Sequence, residues 1–253
     1  MKAKVLFFLL LLLPSIWSFS YGQFFADLET GIVFSSPYNQ VRAPGKTGTQ
    51  IDLTKDLQLQ KAWFYRVRLG YTLGKRHKIS LLAAPLSVKS DGTLDKNVSY
   101  NGELYQQGKN TEGTFMFDTY RFTYAYEIIH SNRFQLGVGA TALLRNASVR
   151  LQNPTTNTAY DNRGIVPLLH YDLWWNPTRR LLILSEADGS YANAGQAFDV
   201  FAGIGYRFTP IVSAKAGYRV IQGGTRGDNV YISSWLDFAS VGLTIDWRQK
   251  EDK

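Results

Sequence analysis

The sequence contains no cysteine, three histidines and one long apolar run, which lies at its N-terminal end. Without cysteine the chain forms no disulfide, no thiolate metal site and no cysteine nucleophile. His77 and His130 are predicted at turns and His170 inside a strand, so we predict neither a metal site nor a cofactor. Beyond the N-terminal run, no segment approaches the ~20 consecutive apolar residues of a membrane-spanning helix.

The N-terminal segment has the parts of a secretory signal peptide. Lys2 and Lys4 precede the apolar run Val5–Leu13, and small residues follow it at the positions expected before a cleavage site. We therefore predict a signal peptide over residues 1–22 and a single barrel domain over residues 23–253.

The charge of the mature chain is modest. Removing Lys2 and Lys4 from the 28 basic residues leaves 26 against 20 acidic ones, a net charge of +6. No basic run is interleaved with aromatic residues, so we do not expect nucleic-acid binding.

Ten stretches of the chain alternate apolar and polar residues. Side chains on a β-strand point to opposite faces in turn, so such a stretch offers one apolar row and one polar row. A series of these strands is typical of a barrel that spans the bacterial outer membrane. In the clearest stretch, Phe198, Val200, Ala202, Ile204 and Tyr206 alternate with Asp199, Phe201, Gly203, Gly205 and Arg207.

The turns divide the alternating pattern into strands. Short connections alternate with long ones, notably 37–60 and 91–113, which predicts that both chain ends lie on the short-turn, periplasmic side. An eight-stranded barrel with an extra hairpin is the alternative, and Asp237 interrupts an outward row and suggests a bulge. The predicted strands are 24–36, 61–74, 78–90, 114–129, 133–151, 164–175, 180–188, 197–208, 211–222 and 231–247.

Several motifs resemble a family of bacterial outer-membrane barrels whose members are mostly uncharacterised. They are Phe117–Tyr124, Leu144–Ala147, Gly164–Leu169, Glu186–Gly189 and Gly217–Arg219. The resemblance covers about half of the chain and implies the barrel fold, but it carries no specific activity. A barrel of this kind is expected to be a cell-envelope monomer that contacts outer-membrane lipids, including lipopolysaccharide, and the barrel-assembly machinery.

The inward rows carry nearly equal numbers of acidic and basic residues. Charges inside a narrow barrel must pair or stay wetted, because an isolated buried charge costs several kcal/mol. We therefore expect a lumen filled by ion pairs. Six residues are candidates for a lumen network or a ligand site. Four are predicted to lie near the extracellular rim, namely Glu186, Asp188, Asp199 and Arg219, with Arg121 and Arg145 on the neighbouring walls.

Three function classes fit this pattern. The first is a structural or surface-interaction barrel, the second a narrow porin-like pore for small polar solutes, and the third a lipid- or peptide-directed enzyme that uses the rim carboxylates. Ten-stranded outer-membrane proteases use paired aspartates together with an aspartate and a histidine. Here His170 and Asp172 are two residues apart, as the aspartate and histidine of those proteases are, but no facing Asp-x-Asp pair accompanies them. The sequence thus assigns no catalytic residue and favours a barrel that is not an enzyme.

Overall fold

Antiparallel β-strands make up nearly all of the structure. The computed structural model describes residues 23–193 and 195–247, so the predicted signal peptide lies outside the described residues. The described part of the chain contains no helix that is long and apolar enough to cross a membrane. The strands are β1 (Gln23–Arg42), β2 (Ile51–Asp52), β3 (Gln58–Leu59), β4 (Ala62–Leu73), β5 (His77–Ala84), β6 (Ser87–Thr93), β7 (Val98–Tyr100), β8 (Glu103–Tyr105), β9 (Asn110–His130), β10 (Phe134–Gln152), β11 (Asn157–Trp175), β12 (Leu181–Ala192), β13 (Gly195–Arg207), β14 (Val212–Arg226) and β15 (Tyr231–Asp246).

The long strands close into a ring of ten. β5 and β6 both pair with β9 and together form one barrel strand, which is interrupted at Pro85. Around the ring the order is β1, β4, β5/β6, β9, β10, β11, β12, β13, β14 and β15, and β15 pairs with β1. The predicted ten-stranded antiparallel barrel is therefore confirmed, and the eight-stranded alternative is wrong.

The two ends of the barrel differ in their connections. Residues 74–76, 131–133, 176–180 and 208–211 form turns at one end, which we call the short-turn end. The other end, the long-loop end, carries the segments 43–61 and 94–109. These segments are shorter than predicted, because β1 continues to Arg42 and β9 already begins at Asn110.

The outer face of the barrel is apolar. Large hydrophobic side chains point outward from strand after strand, and such a continuous apolar belt is the lipid-facing surface of a transmembrane barrel. The belt includes Phe24, Leu28, Trp63, Tyr65, Leu69, Leu81, Phe122, Tyr124, Val138, Leu144, Ile165, Leu169, Ile204, Tyr206, Val241 and Leu243.

Apolar side chains fill the lumen near the long-loop end. Both long-loop segments fold over the opening and contribute to this cluster, which we call the apolar lid. Two buried tyrosines fix the second segment to the wall: the hydroxyl of Tyr100 donates to the Val149 carbonyl at 2.9 Å, and that of Tyr105 donates to the Leu151 carbonyl at 2.6 Å. The lid includes Val41, Ile51, Leu53, Leu57, Phe64, Leu86, Val88, Leu94, Val98, Tyr100, Tyr105, Phe115, Val149, Leu151, Leu236 and Phe238.

The bulge predicted at Asp237 is displaced to the neighbouring strand. The register between β1 and β15 shifts between Val33 and Ser35 and again between Ser35 and Tyr38, so the extra residues belong to β1. The carboxylate of Asp237 accepts hydrogen bonds from the Tyr218 hydroxyl at 2.5 Å and from Trp235 Nε1 at 2.8 Å. These bonds satisfy the acidic group within the outward row.

Candidate functional site

Arg219 lies at the centre of an ionic network inside the barrel. Its side chain is 1% exposed and contacts three carboxylates from three other strands. Nε and Nη2 donate to Glu29 at 2.7 and 2.8 Å, Nη1 donates to Asp199 at 2.5 Å, and Nη2 also donates to Glu186 at 2.8 Å. The guanidinium carbon also lies 5.1 Å from the centre of the Phe201 ring, within cation–π range.

Three further arginines extend the network across the lumen. Arg66 pairs with Asp199 at 2.9 Å. Arg121 pairs with Asp188 at 2.6 Å and with Asp199 at 2.7 Å. Arg68 on β4 pairs with Glu186 on β12 at 2.5 Å, and these two strands are five positions apart in the ring of ten. The ion pairs therefore connect opposite walls of the barrel.

Toward the short-turn end the network continues through two lysines. Lys215 pairs with Asp27 at 2.8 Å and with Glu29 at 3.1 Å. Lys78 contacts Asp172 directly and lies 3.3 Å from Glu127.

His170 connects the centre of the network to the part near the short-turn end. Its Nδ1 lies 2.8 Å from Asp188 and its Nε2 lies 3.4 Å from Asp172. Thr141 also donates to Asp188 at 2.8 Å. Each of these charged groups has opposite charges or hydrogen-bonding groups around it, as buried ionic groups require.

The structure joins five of the six predicted site residues in this network: Arg121, Glu186, Asp188, Asp199 and Arg219. Arg145 lies apart from them, and its Nη2 donates to Asn162 Oδ1 at 2.6 Å. The predicted position at the extracellular rim is wrong for Glu186, Asp188, Asp199 and Arg219. β14 continues for seven residues beyond Arg219, to Arg226, and the apolar lid covers the network from the long-loop end.

Lys78 is a network residue that the sequence analysis missed. Lys78 is the first residue of the predicted strand 78–90, directly after the turn that ends at His77, and it was left out of the inward charged rows. The alternation along the strand indicates an inward position, since Lys78 occupies the same row as the buried residues Ser80 and Leu82.

A basic vestibule opens at the short-turn end, below the network. Its unfilled space, including the open mouth, is about 2230 Å³. Arg207 projects into it from β13 and donates to Asn176 Oδ1 at 3.1 Å. The other charged lining residues are Lys75, Arg133, Arg179 and Arg180, with Asp246 as the acidic one.

Two neighbouring strands of the barrel, β11 and β12, pair over only part of their length. β11 pairs with β12 only from Leu169 opposite Gly189 to Trp175 opposite Ile183. Toward the long-loop end, the rest of β11 pairs with β10 alone, and Ser190–Ala192 of β12 pairs with β13 alone among the described residues. We call this opening the β11–β12 gap.

An apolar crevice lies inside the wall near this gap. Its unfilled space, including the open mouth, is about 480 Å³. Lining residues come from six barrel strands, and among the described residues none comes from β12. They include Phe115, Phe117, Leu143, Arg145, Val166, Ala197, Gly223 and Ile232.

Among the described residues, no group of three histidine, aspartate or glutamate side chains is arranged to hold a metal ion.

The fold has counterparts among solved structures, although no protein-family profile and no curated protein sequence matches the chain. The outer membrane protease OmpT of Escherichia coli aligns with a TM-score of 0.62 over 88% of this chain and 96% of its own, at 10% identity. The transport unit of the autotransporter AIDA-I of E. coli gives 0.46 over 91% of both chains, at 8% identity. Ail of Yersinia pestis gives 0.39 over 87% of this chain and 99% of its own, at 8% identity.

The low identities limit the comparison with OmpT to the fold. The closed ring of ten strands and the apolar outer belt agree with that fold and with a lipid environment. By fold and by surface, the chain is therefore a β-barrel protein of the bacterial outer membrane.

Proposed function

We propose that this protein is a closed, non-conducting barrel with a structural or surface-interaction role at the cell surface. One observation carries the proposal: the ionic network and the apolar lid together occupy the lumen. A filled barrel anchors and orients whatever it presents at its long-loop end. In this role the partners are outer-membrane lipids, including lipopolysaccharide, and molecules outside the cell, and the barrel acts as a monomer.

The long-loop end is suited to presenting a surface. The β7–β8 hairpin is held to the wall by Tyr100 and Tyr105, while Leu104 at the same hairpin is 55% exposed. An ion pair between Lys46 and Asp228, at 2.7 Å, connects the first long-loop segment to the β14–β15 loop. Ordered segments of this kind bind a partner with a smaller loss of conformational entropy than flexible loops do.

The pore alternative has less support. A conducting path needs inward charges that remain separate and hydrated. Arg68 and Glu186 instead pair at 2.5 Å across the lumen, and apolar side chains lie above them.

The enzyme alternative also has less support. Glu186, Asp188 and Asp199 were its candidate carboxylates, and each is engaged by at least one arginine below the lid. Among the described residues that line the crevice above them, Arg145 is the ionisable one. An acid–base pair needs two titratable groups that face a substrate.

Planar-bilayer recording of the refolded protein from Gln23 onward tests the proposal. We expect no steady channel steps from the wild type or from Glu186→Gln and Asp199→Asn, because the amides keep the volume of the acids and the lid remains in place. A sixteen-stranded porin in the same bilayer shows that the assay detects an open lumen. Steady steps whose size changes in the two variants would overturn the proposal and make the protein a small channel.

A further inference from the structure

The β11–β12 gap opens at the level where the outer belt ends. On β11 the outward residues Leu169 and Ile165 are 78% and 75% exposed, and the next outward residue along the strand is Arg163. The belt thus changes from apolar to charged beside the gap. A lipid-facing wall opening at this height lies at the boundary between the hydrocarbon and the headgroups of the outer leaflet.

The crevice behind the gap combines apolar walls with one arginine. Leu143, Val166 and Phe117 supply apolar surface, and Arg145 supplies a positive charge. Within the described residues Arg145 forms no ion pair: its Nη2 donates to Asn162 Oδ1, and its buried Nε has no hydrogen-bond partner. A guanidinium has five N–H donors and is always charged, so this group is suited to an acceptor oxygen of a ligand.

These two observations specify an amphipathic ligand. An apolar crevice beside an unpaired stretch of the lipid-facing wall suits a hydrocarbon chain, and a guanidinium at the same place donates to a carboxylate or carbonyl oxygen. We propose that the β11–β12 gap admits one acyl chain from the outer leaflet into the crevice and that Arg145 binds its carboxyl or ester oxygen. The chain comes from a free fatty acid or from a membrane lipid.

Photolabelling of the full mature protein in bilayers tests this site. The probes are palmitic acid with a diazirine in its chain, the methyl ester of that acid, and a phosphatidylcholine that carries the same chain. Ala197→Leu fills the crevice from β13, and Ala216→Leu adds the same three carbons to an exposed outward position on β14. Heat-modifiable gel mobility verifies that each variant is folded.

We expect labels on the inward residues of segments 143–147 and 162–166. Ala197→Leu should lower this labelling about tenfold, the factor that ~1.4 kcal/mol represents, while Ala216→Leu leaves it unchanged. Arg145→Gln should lower labelling by the acid by a similar factor and affect the methyl ester less, since the ion pair between guanidinium and carboxylate is lost only with the acid.

The two sources of the chain are separated by the probes. If the acid labels the site and unlabelled palmitate reduces that labelling, the ligand is a free fatty acid. If the phosphatidylcholine labels the site and palmitate does not reduce that labelling, the ligand is a membrane lipid. Either result supports the site. Labels confined to the outward residues Ile165 and Leu169, and unaffected by Ala197→Leu, would overturn it.

Discussion

Arg219 shows how a single side chain can hold several strands together. It lies on β14 and contacts Glu29 on β1, Glu186 on β12 and Asp199 on β13. Without Arg219 these acidic groups keep other partners, namely Lys215, Arg68, Arg66 and Arg121, but one positive charge is missing from a space shielded from water. The net value of a buried ion pair is small, but the loss of one partner is costly because the remaining charge is uncompensated.

At this scale we predict the effect of Arg219→Ala. The free energy of unfolding should fall by about 3–5 kcal/mol, the cost of leaving a buried charge without its partner. Urea titration followed by heat-modifiable gel mobility measures the change. Lys89→Ala is the control, because Lys89 pairs with Glu112 at 2.9 Å with both side chains about half exposed, and such pairs contribute about 0–1 kcal/mol. Equal losses in the two variants would contradict a stabilising role for the network.

Alternation predicted which charges face inward, but it could not predict their partners or their depth. Glu186, Asp188 and Asp199 were assigned correctly to inward rows, because the period of two fixes the face of each residue. Their depth depends on how far each strand continues, and β12, which carries Glu186 and Asp188, extends beyond its predicted end at residue 188 to Ala192. Arg145 shares the inward parity, yet it lies apart from the network in the apolar crevice.

Among the elements, the apolar lid departs most from expectation. Segments 37–60 and 91–113 were predicted as long loops on the outer side of the membrane, because short turns belong on the periplasmic side. Their apolar residues Ile51, Leu53 and Val98 instead enter the lumen. Isolated apolar residues in a polar segment give no periodic signal, so the sequence alone does not reveal this packing.

At the scale of elements we predict that Tyr100→Phe combined with Tyr105→Phe loosens the lid. Each change removes a buried hydrogen bond to a wall carbonyl and costs about 1 kcal/mol. Opening of segment 94–109 should therefore become roughly thirtyfold more frequent, as ~2 kcal/mol requires. Limited proteolysis of the folded barrel measures this rate. Tyr191→Phe, at a side chain that is 72% exposed, should leave it unchanged.

On the scale of the whole molecule, closure of the ring is a long-range event. β1 and β15 pair across nearly the full length of the chain, with Leu28 opposite Leu243, whereas β13 and β14 pair locally, with Ile204 opposite Ala216. The chain between β1 and β15 loses conformational entropy before the hydrogen bonds between these two strands form. Contacts of such sequence separation slow folding.

This difference predicts how engineered disulfides change the refolding rate. Because the protein has no cysteine, an introduced pair can form only one disulfide. An oxidised Leu28→Cys and Leu243→Cys pair joins residues 215 apart, and an Ile204→Cys and Ala216→Cys pair joins residues 12 apart. Since each doubling of a loop costs about 0.6 kcal/mol, the first pair should accelerate refolding by up to roughly fiftyfold more than the second. Stopped-flow fluorescence of oxidised and reduced chains measures the rates. Equal acceleration by both pairs would show that ring closure does not limit folding.

The ion pairs across the lumen also set the mechanical behaviour of the barrel in its membrane. Arg68 and Glu186 connect β4 to β12 on the far side of the ring, and Arg66 and Arg121 add two more connections to Asp199. A hollow barrel can flatten or change its tilt when the bilayer thickness changes. Here the cross-section is fixed from within, so the lipid must adjust to the height of the apolar belt, and the bilayer around the protein takes up the hydrophobic mismatch.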